Sequence, residues 1–312
     1  MDRINNILVI VDPTAQEHPA IIKAALLAAR LRLRLELYVC DTMASRAARH
    51  LAHAREQPGQ PFVRDIKTLL ETLAAPLRER GLDVATETEC NEPLHLALID
   101  RTKRTSAGLV VKDTHHHSLA RRTLLTNTDW QLIRACPVPL LLTKQHAWAA
   151  VPKICAAVDP GHVNDKPALL DNRILDYASL LSKGLGGELH VLHAYLPVAI
   201  VAAATSALPP MATTITNDEL AIEGRARLAQ VQALVAEYAV NTAHIHVDVG
   251  GPAELLSRMA GTIPADLMVM GAIARSGLKR VFIGSTAEDV LERLPCDALI
   301  VKPPDFAEML PF

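Results

Sequence analysis

The residues best suited to bind a charged ligand lie near the end of the chain, in the stretch MGAIARSGLKRVFIGST at Met270–Thr286. Gly271 and Gly284 bracket a basic segment there, and the hydroxyl residue Ser285 follows the second glycine. Glycine lets phosphate oxygens approach the backbone, and a helix N-terminus offers unpaired N–H groups and the positive end of its dipole. A phosphate-binding loop fits this spacing, and so does a plain strand-to-helix turn with Ser285 as the N-cap.

The elements that must position this loop occur twice in the same order. ILVIVDP at Ile7–Pro13 returns as ICAAVDP at Ile154–Pro160, and each is followed by an apolar helical segment and another strand. Strands that alternate with helices predict βαβ units and a parallel sheet with helices on both faces. We therefore expect an α/β protein of two tandem, doubly wound, Rossmann-like domains, with about five strands each, at residues 1–147 and 148–312.

The later elements also come in pairs. Long amphipathic helices are predicted at Val63–Glu79 and Asp218–Tyr238, and an apolar loop at Leu196–Thr216, which either packs between the domains or covers an apolar pocket. The remaining predicted strands are Val84–Cys90, Ala243–Val249, Leu109–Lys112, Leu267–Gly271, Pro139–Lys144 and Ala298–Lys302.

The two halves align without a gap around the loop. Thr126 and Asp129 then match Ser285 and Glu288, and both pairs predict capping boxes that start a helix. The same alignment replaces the glycines of the second half by bulkier residues: Gly271 corresponds to Lys112 and Gly284 to Leu125, while Ala274 corresponds to His115. A leucine Cβ blocks the approach that glycine allows, so the loop of the first domain is degenerate.

On these motifs the chain resembles the universal stress protein family, and most of all its tandem members, over nearly all of both halves. The nucleotide-binding members carry Gly, two residues, Gly, nine residues, then Gly-Ser or Gly-Thr; here Gly271 and Ala274 precede nine residues and Gly284-Ser285. Ala274 replaces the middle glycine, and alanine penalises a positive φ. The resemblance implies that the domain at 148–312 binds ATP or a related adenine nucleotide, with Mg²⁺ able to accompany it, and acts as a stress sensor or regulator.

The resemblance also implies roles for residues outside the loop. Asp159 would contact the ribose, although an Asp-Pro turn alone would also explain this aspartate. The segment around Val191 would border the adenine. The predicted binding residues are Asp159, Val191, Met270, Gly271, Ala274, Arg275, Gly284, Ser285 and Thr286.

Other candidate sites have weaker support. THHHS at Thr114–Ser118 brings at most His115 and His117 to one ion, so we interpret it as an exposed loop and expect no metal site. His193 is predicted to be a hydrogen-bonded core residue. No hydrolase or metalloprotease motif is present, so an enzyme is not expected, beyond a slow ATPase.

Composition limits the class of partner. The 312 residues carry a net charge of −2, with 20 Lys/Arg against 16 Asp/Glu up to residue 147 and 12 against 18 beyond it. Basic residues are scattered and lack interleaved aromatics, so nucleic acid is not expected as a partner. The five cysteines show no CxxC spacing and no leader is evident, which favours the reducing cytoplasm. The longest apolar run, Leu196–Ala204, is too short to span a bilayer, so no membrane association is expected.

Two further expectations concern assembly and an alternative function. The apolar last strands of the two domains predict an intramolecular pseudo-dimer, which could also form a homodimer, because an uncovered strand edge invites pairing. The alternative to a nucleotide sensor is a scaffold that binds a protein or a small apolar ligand and no nucleotide. The sequence names neither the stress nor the partner.

Overall fold

A computed structural model describes residues 4–40, 65–89, 93–114, 125–161, 169–205, 216–272, 285–304 and 306, with backbone alone at 202–205 and 285–286. The chain divides after Ala147 into two compact units, except that Phe306, near the end of the chain, groups with the first unit and not with the predicted second domain. Both units are parallel α/β sheets, which confirms the predicted fold class.

The first unit has strands in the order β3-β2-β1-β4-β5, all parallel where they pair. Its strands are β1 (Asn6–Ile10), β2 (Arg34–Cys40), β3 (Val84–Glu89), β4 (Leu109–Asp113) and β5 (Leu140–Thr143). Its helices are α1 (Pro19–Leu31), α2 (Ile66–Glu79), α3 (Leu94–Thr105) and α4 (Asn127–Ala135).

The second unit has the matching order β10-β9-β6-β7-β8, again parallel. Its strands are β6 (Lys153–Ala157), β7 (Glu188–Tyr195), β8 (Ile245–Val249), β9 (Leu267–Gly271) and β10 (Asp297–Val301). Its helices are α5 (Leu170–Leu185), α6 (Val198–Thr205), α7 (Asn217–Val235), α8 (Pro252–Thr262) and α9 (Ser285–Arg293).

The central strands are buried on both faces, as their continuous aliphatic runs predict. Ile7, Leu8 and Val9 of β1 are fully inaccessible to solvent, and so are Met268 and Val269 of β9. Burial of apolar side chains on both faces holds these strands in place, so the position at which each strand ends is fixed. Within the described ranges, no helix has the length and hydropathy needed to cross a bilayer.

Several predicted boundaries shift. Helix α2 starts at Ile66, where Asp65 accepts hydrogen bonds from Lys67 N and Thr68 Oγ1. The start predicted at Val63 lies outside the described residues. Helix α7 ends at Val235 and a 3₁₀ turn follows at Ala236–Tyr238, so the predicted helix is two elements.

The loop predicted at Leu196–Thr216 is wrong in its first part, which forms helix α6. The carbonyl of Pro197 accepts the first helical bonds, from Ile200 N and Val201 N. Proline is tolerated in a first turn, where its missing N–H has no helical partner to lose, so Pro197 marks a helix start and not a loop. Residues 206–215 lie outside the described part.

Gly187, which precedes β7, allows a close approach of two backbone segments that a substitution can test. A Cβ at Gly187 would lie 2.2 Å from the carbonyl oxygen of Pro152, which accepts the hydrogen bond of Glu188 N that joins β7 to β6. We expect Gly187→Ala to lower the free energy of unfolding by about 1–3 kcal/mol, because backbone must shift. Chemical denaturation monitored by circular dichroism measures this loss.

Gly261 is the matched control, because it lies in helix α8 and a Cβ there would meet nothing within 4 Å. Gly261→Ala should be neutral or stabilising by up to about 1 kcal/mol, since alanine is the better helix former. Equal stability of the two variants would contradict the close approach at Gly187.

Candidate functional site

The site predicted in the second unit lies at the carboxyl edge of its sheet. The chain leaves β6 in one direction, to β7, while β9 pairs on the other side of β6. Ligands of doubly wound sheets bind at such a switch point, beyond the carboxyl ends of the strands. Asp159 follows β6 and Gly271 ends β9, so these two predicted residues border the switch point from either side.

Asp159 has a local environment different from that of its counterpart Asp12 in the first unit. Asp12 Oδ1 accepts hydrogen bonds from Thr14 N at 2.8 Å and from Thr14 Oγ1 at 2.6 Å, which is a turn role. In the second unit Gly161 stands in the place of Thr14, so no hydroxyl is available for that contact. The Asp159 side chain is 39% exposed, and its backbone N–H donates to Asp171 Oδ1 at 3.0 Å.

Gly271 has a packing reason of its own. A Cβ at this position would lie 2.7 Å from Leu170 Cδ2 and 3.2 Å from Ile174 Cδ1, both on helix α5. The preceding residue, Met270, is buried. Gly271 therefore permits close packing of the helix on β9 whether or not a ligand binds next to it.

Much of the predicted loop cannot be placed. Ala274, Arg275 and Gly284 lie outside the described residues, and Ser285 and Thr286 are described by backbone alone. The helix here begins at Ser285 itself, so the capping box predicted with Glu288 is not tested. Because α9 leads from β9 to the parallel strand β10, its N-terminus faces the carboxyl edge.

Val191 lies deeper than the other predicted residues. It is fully buried in β7, paired with Ala156, whereas the chain reaches the edge only at Tyr195. Its predicted contact with adenine stays a prediction, and residues His193 and Tyr195 of the same strand lie nearer the edge.

Three side chains near Asp159 were not singled out as binding residues: His193, Tyr195 and Arg227. The Tyr195 ring stacks on His193, with centroids 6.0 Å apart, and the guanidinium of Arg227 lies 5.6 Å from the Tyr195 ring. Arg227 also pairs with Glu223 one helical turn away, at 3.3 Å. Glu223 and Arg227 are four residues apart on α7, which is the one sequence signal that could have pointed to Arg227. The same spacing is equally typical of an exposed helix with no ligand.

His193 is a hydrogen-bonded core residue, as predicted. It is 1% exposed, and its Nδ1 donates to the carbonyl oxygen of Val158 at 3.0 Å. Its Nε2 is buried without a hydrogen-bond partner among the described residues. Burial lowers the pKa of His193, and the charge of Arg227 adds to this effect, while Val158 and Asp159 oppose it.

In the first unit a lysine occupies the corresponding edge. The strand register pairs Leu109 with Ile7 as it pairs Leu267 with Ile154, so Asp113, and not the predicted Lys112, stands at the position of Gly271. The gapless alignment of the two halves is therefore wrong by one residue within this strand. The ammonium group of Lys112 contacts Asp129 Oδ1 at 2.8 Å and donates to the carbonyl of Asp113 at 2.8 Å. Asp129 is fully buried in the capping box of α4, where Thr126 donates from N and Oγ1, both at 2.8 Å. This capping box is confirmed, and it places a buried ion pair at the helix start.

A cavity of about 230 Å³ lies beside this ion pair, lined among others by Asp12, Cys40, Lys112 and Thr128. It would hold a few water molecules or a small group.

Known proteins resemble this chain along its whole length. The model of the universal stress protein family matches residues 3–144 and again 152–302. Universal stress protein E of Escherichia coli strain K12 is 27% identical over 311 residues, which cover 98% of this chain and 96% of that protein. A putative universal stress protein of Pseudomonas aeruginosa UCBPP-PA14 superposes with a TM-score of 0.77 at 29% identity, covering 99% and 97% of the two chains. One from Archaeoglobus fulgidus reaches 0.68 at 16% identity, which supports the fold alone.

The lowered pKa of His193 predicts a pH dependence of stability. The unfolded histidine protonates near its ordinary pKa of about 6.5, while the folded one stays neutral to lower pH. Stability is therefore complete above that pH and falls as the pH drops toward the folded pKa, by at most about 1.4 kcal/mol per pH unit. Calorimetric melting of the parent and of His193→Gln, at about pH 7.5 and about pH 5.5, measures it.

We expect the parent to lose more melting temperature than His193→Gln between these two conditions. The pKa values of His190 and His246 are also lowered by burial, but both residues are present in both proteins and cancel in the comparison. Equal losses would mean that His193 titrates in the fold as it does in water.

Proposed function

Since this chain belongs to the universal stress protein family, whose domain it contains twice, we propose that it serves the stress response by binding ATP or a related adenine nucleotide in its second unit. The observation that carries the proposal is the position of Asp159 and Gly271 on either side of the switch point of that sheet. Helix α9 directs its N-terminus at the same edge, where phosphate would be stabilised by unpaired N–H groups.

The described side chains at this edge fit a nucleotide. The carboxylate of Asp159 is 39% exposed, so ribose hydroxyls can donate to it. Arg227 supplies a cation beside the Tyr195 ring. Its Nη1 lies close to the loop that follows β6, since a Cβ at Gly161 would be 2.5 Å from that atom. Arg227 is paired with Glu223, so the positive end of helix α9 is the feature that favours an anionic ligand here.

Mg²⁺ would enter with the triphosphate. It takes oxygen ligands, mainly phosphate oxygens and water with one or two carboxylates. Asp159 and Asp171 carry the carboxylates at this edge, where the backbone N–H of Asp159 donates to Asp171 Oδ1. The ion would neutralise phosphate charge; the chain itself binds and orients the nucleotide.

The first unit is proposed to bind no nucleotide in this manner. Asp113 replaces Gly271, and the ammonium group of the preceding Lys112 is already held by Asp129 and the carbonyl of Asp113. Releasing the lysine would leave a buried aspartate without its cation, which typically costs about 3–5 kcal/mol.

A second candidate function is the scaffold for a protein or a small apolar ligand. The observation that favours it is the apolar surface after β7, where Val198 is 60% exposed and Ile200 and Val201 are each 45% exposed. Exposed apolar groups in one stretch mark interaction sites. Nucleotide released from the purified protein on denaturation, or its absence, separates the two candidates.

Two accompanying proposals concern location and assembly. A cytoplasmic location is supported by the buried thiol of Cys155, which forms no disulfide. The intramolecular pseudo-dimer and a further homodimer remain predictions; light scattering of the purified chain, which gives its mass in solution, tests the homodimer.

The proposal predicts one ATP site per chain, which Ser285→Asp should disrupt. Aspartate is favourable at a helix N-terminus and serves as an N-cap as well as serine does, so the melting temperature should hold. Its charge, however, would stand where the phosphate binds, and we expect affinity to fall at least about tenfold, which corresponds to about 1.4 kcal/mol. Isothermal titration calorimetry of the full chain gives both the stoichiometry and the affinity.

Thr126→Asp is the matched control, because Thr126 holds the corresponding position at α4 in the first unit. It should leave ATP affinity and stoichiometry unchanged. Two equivalent sites in the parent, or ATP bound by Ser285→Asp as tightly as by the parent, would overturn the proposal.

A further inference from the structure

Four side chains capable of binding a metal gather at the opposite, amino-terminal edge of the second unit. Glu188 and His190 lie near the start of β7, His244 ends a 3₁₀ turn at Thr242–His244, and His246 lies in β8. This cluster has no part in the nucleotide site, because β7 and β8 run from here toward the carboxyl edge where Asp159 lies.

Strand geometry explains why the four side chains meet. Residues two apart in a strand point to the same face, so Glu188 and His190 share one face of β7. The parallel register pairs Val191 with Ile245, which brings His190 beside His244. His246 is two residues after His244, so its side chain lies on the same face of the sheet. Pairing of β7 with β8 therefore assembles the cluster from two segments more than fifty residues apart.

The distances in the cluster suit a shared ion. His190 Nε2 lies 3.5 Å from Glu188 Oε2, and the rings of His190 and His244 stack with their centroids 4.1 Å apart. One ligand atom from each of Glu188, His190 and His244 lies within 4.8 Å of the other two. His190 is 6% exposed, while Glu188 and His244 are half-buried and open to an arriving ion.

We propose that Glu188, His190 and His244 bind a zinc ion, with water as the fourth ligand and His246 orienting His190. Two imidazoles and a carboxylate form a ligand set that zinc accepts, whereas Mg²⁺ and Ca²⁺ require oxygen ligands throughout. The ion would cross-link the amino ends of β7 and β8 at the edge of the sheet.

The spacing is close to that of tetrahedral coordination. Zinc bonds of about 2.0–2.2 Å place two ligand atoms about 3.3–3.5 Å apart. Glu188 Oε2 and His190 Nε2 already have this separation. The remaining adjustment falls to His244, whose half-buried ring can turn about its side-chain bonds to bring a nitrogen inward.

His246 sets the tautomer that zinc requires. His190 Nδ1 lies 3.1 Å from His246 Nε2, so one of these nitrogens donates to the other. When His190 Nδ1 carries the proton and donates, its Nε2 lone pair is left for the ion beside Glu188. Histidine ligands almost always donate their second ring N–H to such a partner, and loss of that partner typically weakens metal binding 10–100-fold.

The experiment titrates zinc sulfate into the full chain, without an affinity tag and stripped with a chelator, against a chromophoric competitor. We expect one tight equivalent per chain. His244→Ala should weaken it by at least about 100-fold and His246→Phe, which keeps a ring in place, by about 10–100-fold. Cobalt(II) reports the geometry independently, since its visible absorption in a tetrahedral site should vanish in His244→Ala. His244 is half-buried, so its variant is expected to fold.

The double variant His115→Ala/His117→Ala is the control, because it removes the two histidines of the THHHS segment that could share an ion and keeps the cluster. It should bind zinc like the parent. The proposal is overturned if the parent binds no zinc at one equivalent, if His244→Ala binds zinc as the parent does, or if the control loses the site. ATP affinity serves as a separate readout and should be the same in His244→Ala and the parent.

Discussion

Parallel pairing of the strands is the constraint from which both candidate sites of the second unit arise. Every described strand in a unit points the same way, so all carboxyl ends meet at one edge and all amino ends at the other. The carboxyl edge gathers Asp159, Tyr195 and Gly271, although more than a hundred residues separate the first of them from the last. The amino edge gathers the histidine cluster in the same way. Because β6 and β9 are buried on both faces, the residues of the carboxyl edge cannot slip in register without exposing the core.

The two units share this framework and differ in what their edges hold. At the start of α4 in the first unit, the charge of Lys112 is neutralised by Asp129 inside the protein. In the second unit the position of Asp113, the neighbour of this lysine, is a glycine packed against Leu170, and an exposed aspartate and an arginine lie nearby. Duplication thus leaves one copy with an internal ion pair and the other with an edge suited to a charged ligand. The ion pair stabilises little in itself, since burial of charge costs about as much as the pairing returns, but it blocks the edge.

Much of this fold follows from the sequence. The repeat, the alternation of strands and helices, the capping box at Thr126 and the burial of His193 were predictable, because each depends on local pattern. Helix α6 was missed because an apolar, alanine-rich run bracketed by prolines fits a loop or a helix equally well. The environments of Arg227 and of the histidine cluster depend on long-range pairing of strands and helices, which has no period in the sequence. The contact of Val191 with adenine stays a prediction, since a resemblance to a family indicates the strand but not how deeply a residue of it is buried.

The central claim is that the chain binds one adenine nucleotide, at the carboxyl edge of the sheet in the second unit. Photo-crosslinking tests this claim directly. The full chain would be irradiated with an azido derivative of ATP, digested, and its labelled peptides identified by mass spectrometry, with and without excess ATP. Labelling that excess ATP removes should appear only in peptides from residues 148–304, including those around Asp159 or Tyr195 at the end of β7. Competed labelling of peptides from residues 1–147 around Lys112, or no labelling that ATP removes, would contradict the account.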